Sequence, residues 1–235
     1  MPIDEIEIPG SSVSFKCWSA KIPSIPQLFE KMMEDGDEFK IDPEIPGFHD
    51  CDHNKDVIRG FYSHIVPFEI EHLQEGMTTK SLFKRIESCE FVATSGCIFV
   101  TGKSGPQRGL THSISTLSGY GVALMEFEFL QMSQLSDRLS QVKSIALTNP
   151  KDKEIRRARL AGLIESYTDY NVIDPRNHGI ESVAGLVDSP LGPITLTVNK
   201  KGGLRLNVRK GFILTVECLL WLVQLIRDEK PPQRS

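Results

Sequence analysis

One unit occurs twice in this chain and constrains its fold more than any other feature: two short strands joined by a glycine turn, a basic glycine-containing loop, then a helix. The first copy spans residues 90 to 119, where Phe91-Val92-Ala93-Thr94 and Cys97-Ile98-Phe99-Val100-Thr101 flank Ser95-Gly96 and lead through Gly102-Lys103-Ser104-Gly105 to a helix. In the second, residues 194 to 227, Ile194-Thr195-Leu196-Thr197-Val198 and Leu204-Arg205-Leu206-Asn207-Val208 flank Lys200-Lys201-Gly202-Gly203. Arg209-Lys210-Gly211 then opens an apolar helix from Phe212 to Ile226. Duplicated strand-strand-helix units predict an α+β fold of curved antiparallel sheets backed by helices, with the other sheet face left to bind something.

The remaining elements follow from local signals. Val13 to Trp18 reads as a strand, and Ser24-Ile25-Pro26 caps a helix over 27–34. Residues 42 to 56, rich in Pro, Gly, Asp and His, read as a loop. Residues 57 to 73 alternate as one long bent strand or a hairpin, and 78 to 87 as a short helix. A strand is expected over 122–130, a connecting helix over 133–142 and a strand over 143–148. Asn149-Pro150 supplies an N-cap and a first-position proline for a helix running to about Tyr167. Strands at 171–174 and 180–188 complete the reading.

Charge divides the chain. Residues 1 to 130 carry 11 Lys+Arg against 20 Asp+Glu, and residues 131 to 235 carry 16 against 11, so a boundary is placed near 131–142 between an acidic and a basic α+β half. A basic half suits a phosphate-binding surface, because neutralising phosphates releases counterions. It equally suits subunit pairing. The five cysteines, at positions 17, 51, 89, 97 and 218, show no disulfide spacing, and the start shows no signal-peptide pattern. A cytoplasmic protein is expected. The longest apolar segment, 211 to 226, contains Glu217, Thr215 and Gln224 and falls short of a membrane span.

In the second repeat, alternation puts Ile194, Leu196, Val198, Leu204, Leu206 and Val208 on one sheet face. Thr195, Thr197, Asn199, Arg205, Asn207 and Arg209 fall on the other. That second set offers hydroxyls, carboxamides and guanidiniums without an acid, the usual donors to phosphate oxygens and base edges. Lys200 and Lys201 at the hairpin tip and Lys210 at the helix entry extend it. Lys153, Arg156 and Arg157 share one face of the helix expected after Pro150. The bland alternative is a solvated sheet face and a solvated helix.

Other chemistry finds weaker footing. His49, Cys51 and His53 alternate like a zinc half-site, but no second ligand pair appears, and a flexible acidic loop accounts for them. Gly102-Lys103-Ser104 lacks the glycine that a phosphate-binding loop needs five residues before its Gly-Lys, since Cys97 stands there. There is no Gly-x-Ser-x-Gly elbow, no His-Glu-x-x-His and no dinucleotide fingerprint, so neither an enzyme nor a cofactor is expected. A metal-dependent nuclease would have to use scattered acids such as Asp50, Asp52, Asp56 and Glu69.

The stretch from Phe91 to Leu117, with Ser95-Gly96 and Val100-Thr101-Gly102 before the helix, resembles one half-repeat of the TATA-binding-protein fold. The duplicated αβ layout, with 180 to 208 as strand, strand, glycine turn and strand, is similar to that of the RdgC and RexA type of prokaryotic and phage DNA-binding protein. Both likenesses imply double-stranded DNA held on a basic concave surface, often by a dimer, and the second suggests phage exclusion or defence. The expectation is a non-enzymatic, largely sequence-independent DNA-binding protein. The alternative is an interaction scaffold that uses the 212–226 helix. That helix is apolar nearly all round, so it needs cover on more than one side, and a second copy of the chain is the expected source.

Overall fold

A computed structural model describes residues 2–74, 77–148, 157–164 and 179–227. The elements in chain order are β1 (Glu5–Ile8), β2 (Ser12–Ala20), α1 (Ile25–Glu34), β3 (Gly47–His53), β4 (Ile58–Gln74), β5 (Met77–Ala93), β6 (Cys97–Gly102), α2 (Ser104–Ser118), β7 (Val122–Leu124) and α3 (Phe129–Arg138). They continue with β8 (Gln141–Thr148), β9 (Arg157–Ile164), β10 (Gly179–Ser189), β11 (Gly192–Asn199), β12 (Gly203–Asn207), β13 (Phe212–Thr215) and α4 (Val216–Arg227). The fold is α+β, and every paired strand register is antiparallel. Among the described residues no helix is long and apolar enough to cross a membrane.

Contacts separate two compact units, residues 1–18 with 124–235, and residues 19–123. In the second of these the strand order is β3-β4-β5-β6. Helix α2 packs on β4 and β5, and α1 packs on α2 and β3. Helix α1 starts where the sequence places it, because the Ser24 hydroxyl accepts from the Gln27 amide and proline follows inside the first turn. The core holds Phe91, Phe99, Ile98, Leu110 and Ile114, all at most marginally exposed. Phe48 sits edge-on to both Tyr62 and Phe91, with ring centroids 5.2 and 5.9 Å apart.

The unit formed by residues 1–18 and 124–235 has the strand order β2-β12-β11-β10-β8-β9, with β1 and β13 as a separate pair. Helix α3 packs against β10 and α4. Leu196, Val198, Leu204, Leu206, Ile145 and Leu147 bury one face of this sheet, and Met132, Leu135, Leu219 and Leu222 are buried with them. The register pairs Leu196 with Leu206 and Val198 with Leu204, as alternation requires. At the hairpin tip Gly202 has φ +70°. A Cβ there would press on the Cys17 and Met125 carbonyl oxygens, so glycine is needed for both conformation and space.

Several expected elements differ. Residues 47–53 are strand β3 rather than loop, paired to β4 with a register shift between His49 and Asp52. Residues 78–87 belong to the 17-residue strand β5, not a helix, and pair with β4 along the whole of its length. Leu82, Phe83 and Ile86 fit either period, so the cross-strand partners decide. Residues 157–164 form strand β9 against β8 instead of continuing a helix from Pro150. The strand at 122 ends by Leu124, and α3 opens at Phe129, where Glu128 and Gln131 make a reciprocal capping box.

The last helix is shorter than its apolar run. Phe212 and Leu214 are buried while Ile213 is exposed, the alternation of a strand, and β13 pairs with β1. The Thr215 hydroxyl then accepts from the Cys218 amide at 3.2 Å, which makes Thr215 the cap of α4. In the first repeat α2 follows β6 after a single residue, whereas β13 intervenes in the second. Removing the cap by Thr215→Ala is expected to cost about 1 kcal/mol, with Thr215→Ser retaining most of it. Urea unfolding of the two variants checks this, and equal losses would show that the hydroxyl does not cap.

Candidate nucleic-acid interface

The sheet β2-β12-β11-β10-β8-β9 has one apolar face and one polar face, and cross-strand register fixes the membership of each. Thr195 lies opposite Asn207, Thr197 opposite Arg205, and Asn199 opposite Gly203. Strand β2 continues the row, with Ser12 opposite Asn207, Ser14 opposite Arg205 and Lys16 opposite Gly203. On the other side Ser182 and Ala184 face Asn199 and Thr197, Ala146 faces Ser182, and Arg159 faces Ala146. Arg205, Asn207, Ser12, Ser14 and Arg159 are exposed, while Thr195, Thr197 and Asn199 are half-buried between their neighbours. All of these groups lie within one unit.

The expected residues of β11 and β12 therefore do share a face, and several are already engaged. The Lys143 ammonium, thrown onto this face by the irregular register of β8, donates to the Thr195 hydroxyl at 3.3 Å. Arg205 reaches the Ser12 hydroxyl at 3.5 Å. The Lys16 ammonium donates to the Lys201 carbonyl at 2.6 Å. The Asn199 side-chain oxygen accepts from the Lys201 amide at 2.8 Å, so that oxygen shapes the turn and is not offered outward. Lys200 and Lys201 are exposed at the tip. Arg209 and Lys210 are exposed in the turn before β13, so Lys210 does not stand at a helix entry.

The basic helix does not form around Arg157. This residue opens strand β9, opposite Thr148, and its guanidinium pairs with Glu181 at 3.0 Å. Lys153 and Arg156 lie outside the described residues, as does the expected strand at 171–174. Among the described residues, Glu181 and Asp188 border the face. Glu181 sits in the register shift beside Ser182 and is paired to Arg157, and Asp188 at the opposite end accepts from the Ser140 hydroxyl at 2.8 Å. Over the whole unit, Asp4, Glu5, Glu7, Glu126 and Glu128 join the basic half, giving 17 Lys+Arg against 16 Asp+Glu. The cationic character thus belongs to a face rather than to the unit.

Sequence reasoning overlooked Lys16, Ser12, Ser14 and Lys143, and it assigned Arg159 to a helix where the structure has strand β9. The alternation Ser12-Val13-Ser14-Phe15-Lys16-Cys17 already separates polar from apolar, but only the pairing of β2 with β12 aims it at the same face.

The histidine and cysteine alternation at 49–53 does not converge on a metal. His49 bonds the Asp50 carboxylate at 2.9 Å and the Ser63 hydroxyl at 2.8 Å, Cys51 donates to the His49 carbonyl, and His53 stacks on Phe29 at 4.0 Å. Among the described residues no group of three or more His, Cys, Asp or Glu is arranged to hold a metal ion. The order Asp50–His49–Ser63 matches a charge relay, and Ser63 passes on to Ser88 at 2.6 Å. Ser63, however, is fully buried. A nucleophile must reach its substrate, so this chain reads as the internal satisfaction of a buried hydroxyl.

No protein-family model matches the chain, and no curated protein matches it significantly.

Burial pushes the Cys51 thiol up to about 11 and the Cys89 thiol up to about 12, and it raises that of Cys218 as well. The reactive thiolate is then scarce near neutral pH. Alkylation by iodoacetamide at pH 8 is expected to be slow in the folded protein and fast in urea. Rapid labelling of folded Cys51 would contradict the burial that defines its surroundings.

Proposed function

We propose that this chain is a non-enzymatic protein that binds double-stranded DNA with little sequence preference. The polar face of the β2-β12-β11-β10-β8-β9 sheet would be the contact surface. The observation that carries this reading is the row of Lys16, Arg205, Lys143 and Arg159 interleaved with serine, threonine and asparagine, in which the bordering acids Glu181 and Asp188 are already bonded to protein. Such a face supplies charge and hydrogen-bond donors to phosphate oxygens while leaving few uncompensated carboxylates to repel them. Lysines at the 200–201 tip and Arg209 and Lys210 beyond β12 would extend the contact along the backbone.

The strand-strand-helix likeness of residues 91–117 to a TATA-binding-protein half-repeat, and the layout shared with RdgC- and RexA-type proteins, support DNA as the partner. A role in phage exclusion or defence rests on that layout alone. The scaffold reading loses its main motive, because no large apolar side chain of α4 is among the strongly exposed ones. Leu219, Leu222 and Ile226 are covered within the chain, with α3 packed alongside.

Gel-shift titration of random-sequence duplex at two salt concentrations tests the proposal. Affinity is expected to fall steeply with salt. Replacing Arg205 and Arg209 together by alanine should reduce the slope of log K against log salt by up to about two units, because each phosphate contact contributes about 0.9. Both side chains are exposed, so the melting temperature should be unchanged. Absence of binding at low salt would overturn the reading, and normal binding by the double variant would remove this face as the site.

A further inference from the structure

Strands β4 and β5 pair from Ile58 with Ala93 to Gln74 with Met77, but their outer neighbours stop early. Strand β3 reaches only to Ser63, and β6 only to Cys89. Beyond those residues the hairpin is, among the described residues, a two-stranded ribbon with no further strand on either edge. Roughly ten pairs at ~3.3 Å per residue give it a length of about 33 Å. Two-stranded ribbons are marginal in water unless an apolar face is covered. This one carries Leu73, 76 % exposed, Leu82, 67 % exposed, and Ile86, 51 % exposed, all on the same face by register.

The charges on that face are sorted by strand. Strand β4 contributes Glu69 and Glu71, and β5 contributes Lys80 and Lys84, so the ribbon's own charges make one long edge anionic and the other cationic, with Lys84, at the base, also bonded to Glu44 of the segment before β3. Lys80 approaches Glu69 at 3.5 Å and Glu71 at 3.1 Å across the ribbon, with all three side chains about 60 % exposed. The wider ribbon is balanced, since Arg85 and Glu87 add one charge of each sign and bond each other at 2.7 Å. A balanced surface gives no net attraction to a polyanion.

We propose that the ribbon is a self-association arm, and that its occupant is the same ribbon of a second copy of this chain. A two-fold axis running along the ribbon stacks the faces so that β4 of each copy lies over β5 of the other. Anionic edge then meets cationic edge, with Glu71 across from the Lys80 of the second copy and the leucines and isoleucines sealed between. An axis across the ribbon would instead set Glu69 and Glu71 against themselves. Charge order selects the first arrangement, and a two-fold is the commonest way for soluble chains to pair. A single ribbon face about 33 Å long and two strands wide is smaller than the ~800 Å² per partner of a standard interface, so the dimer is weak and concentration-dependent. This inference is independent of the nucleic-acid reading and is tested without DNA.

Sedimentation equilibrium of the full chain is expected to show a mass rising from 26.3 kDa towards twice that value at high micromolar concentration. The Leu73→Ser, Leu82→Ser variant should raise the dissociation constant at least tenfold with an unchanged circular-dichroism spectrum. Lys80→Glu with Lys84→Glu, and Glu69→Lys with Glu71→Lys, should each be monomeric alone and associate when mixed, which also covers the case in which the leucine variant misfolds. A wild-type chain that stays monomeric, or a leucine variant that is folded and still dimeric, overturns the proposal. Charge variants that fail to associate on mixing overturn the stacking.

Discussion

The turn at Lys200-Lys201-Gly202 is the constraint on which the sheet of residues 1–18 and 124–235 depends. Its glycine takes a left-handed conformation with the Cys17 and Met125 carbonyls close by, and its own carbonyl accepts from the Cys17 amide at 2.8 Å. The Lys200 carbonyl accepts from Phe127, and the Lys200 amide donates to Glu181. Three other segments, at Cys17, Met125 to Phe127 and Glu181, are thereby held at one hairpin tip. Because side chains alternate with a period of two, fixing this tip fixes which side of β2, β12, β11 and β10 every residue faces. A slip of one residue would turn Leu204 and Leu206 outward and bury Arg205 without a partner, which is why the register is so strongly specified.

What could be read from the sequence divides along the range of the interactions. Short-range signals were legible: Ser24 as a cap, the alternation of β11 and β12, the glycine turns, and the helix after Gly102. Long-range pairing was not. Nothing local in residues 78–87 says strand, since Leu82, Phe83 and Ile86 also satisfy a helical period and only β4 selects the extended form. The segment 47–53 looked like a loop for its Asp and His content, yet pairing with β4 and the packing of Phe48 on Tyr62 and Phe91 make it a strand. Thr215 was a legible cap inside an apolar run, and hydrophobicity alone concealed it.

The polar face illustrates the same division in electrostatic form. Arg205, Thr195, Thr197 and Asn207 could be placed together because they lie in one hairpin, whereas Lys16 and Arg159 join them through β2 and β9, strands outside that hairpin. Counting charge by halves pointed to β11 and β12 without the pairing that brings the other cations beside them. The basic half is diluted to near neutrality by the acids of its own unit, and only the sorting of side chains between two sheet faces restores a cationic surface. Local placement outweighs net charge here, because exposed charges beyond about 10 Å are screened at ordinary ionic strength.

The polar face and the apolar ribbon solve different problems with the same pleated geometry. On the wide sheet, one face is committed to the core, so alternation leaves the other face largely polar, with Leu186, Ala184 and Ala146 set among its hydroxyls and cations. On the ribbon, neither face is committed to a core of its own, so apolar residues appear on both: Leu73, Leu82 and Ile86 on one, Phe68, Ile70 and Phe83 on the other. Phe68 and Phe83 pack with tilted rings, centroids 5.9 Å apart, and the Arg85 guanidinium lies over Phe68, which shields part of that second face within the chain. Around the leucines Lys80 reaches Glu69 and Glu71, and Lys84 reaches Glu44, exposed pairs that are worth little while they remain in water. A partner that brings its own ribbon converts the same charges into a matched border around an apolar seam, and so gives the leucines the cover that the chain itself does not supply.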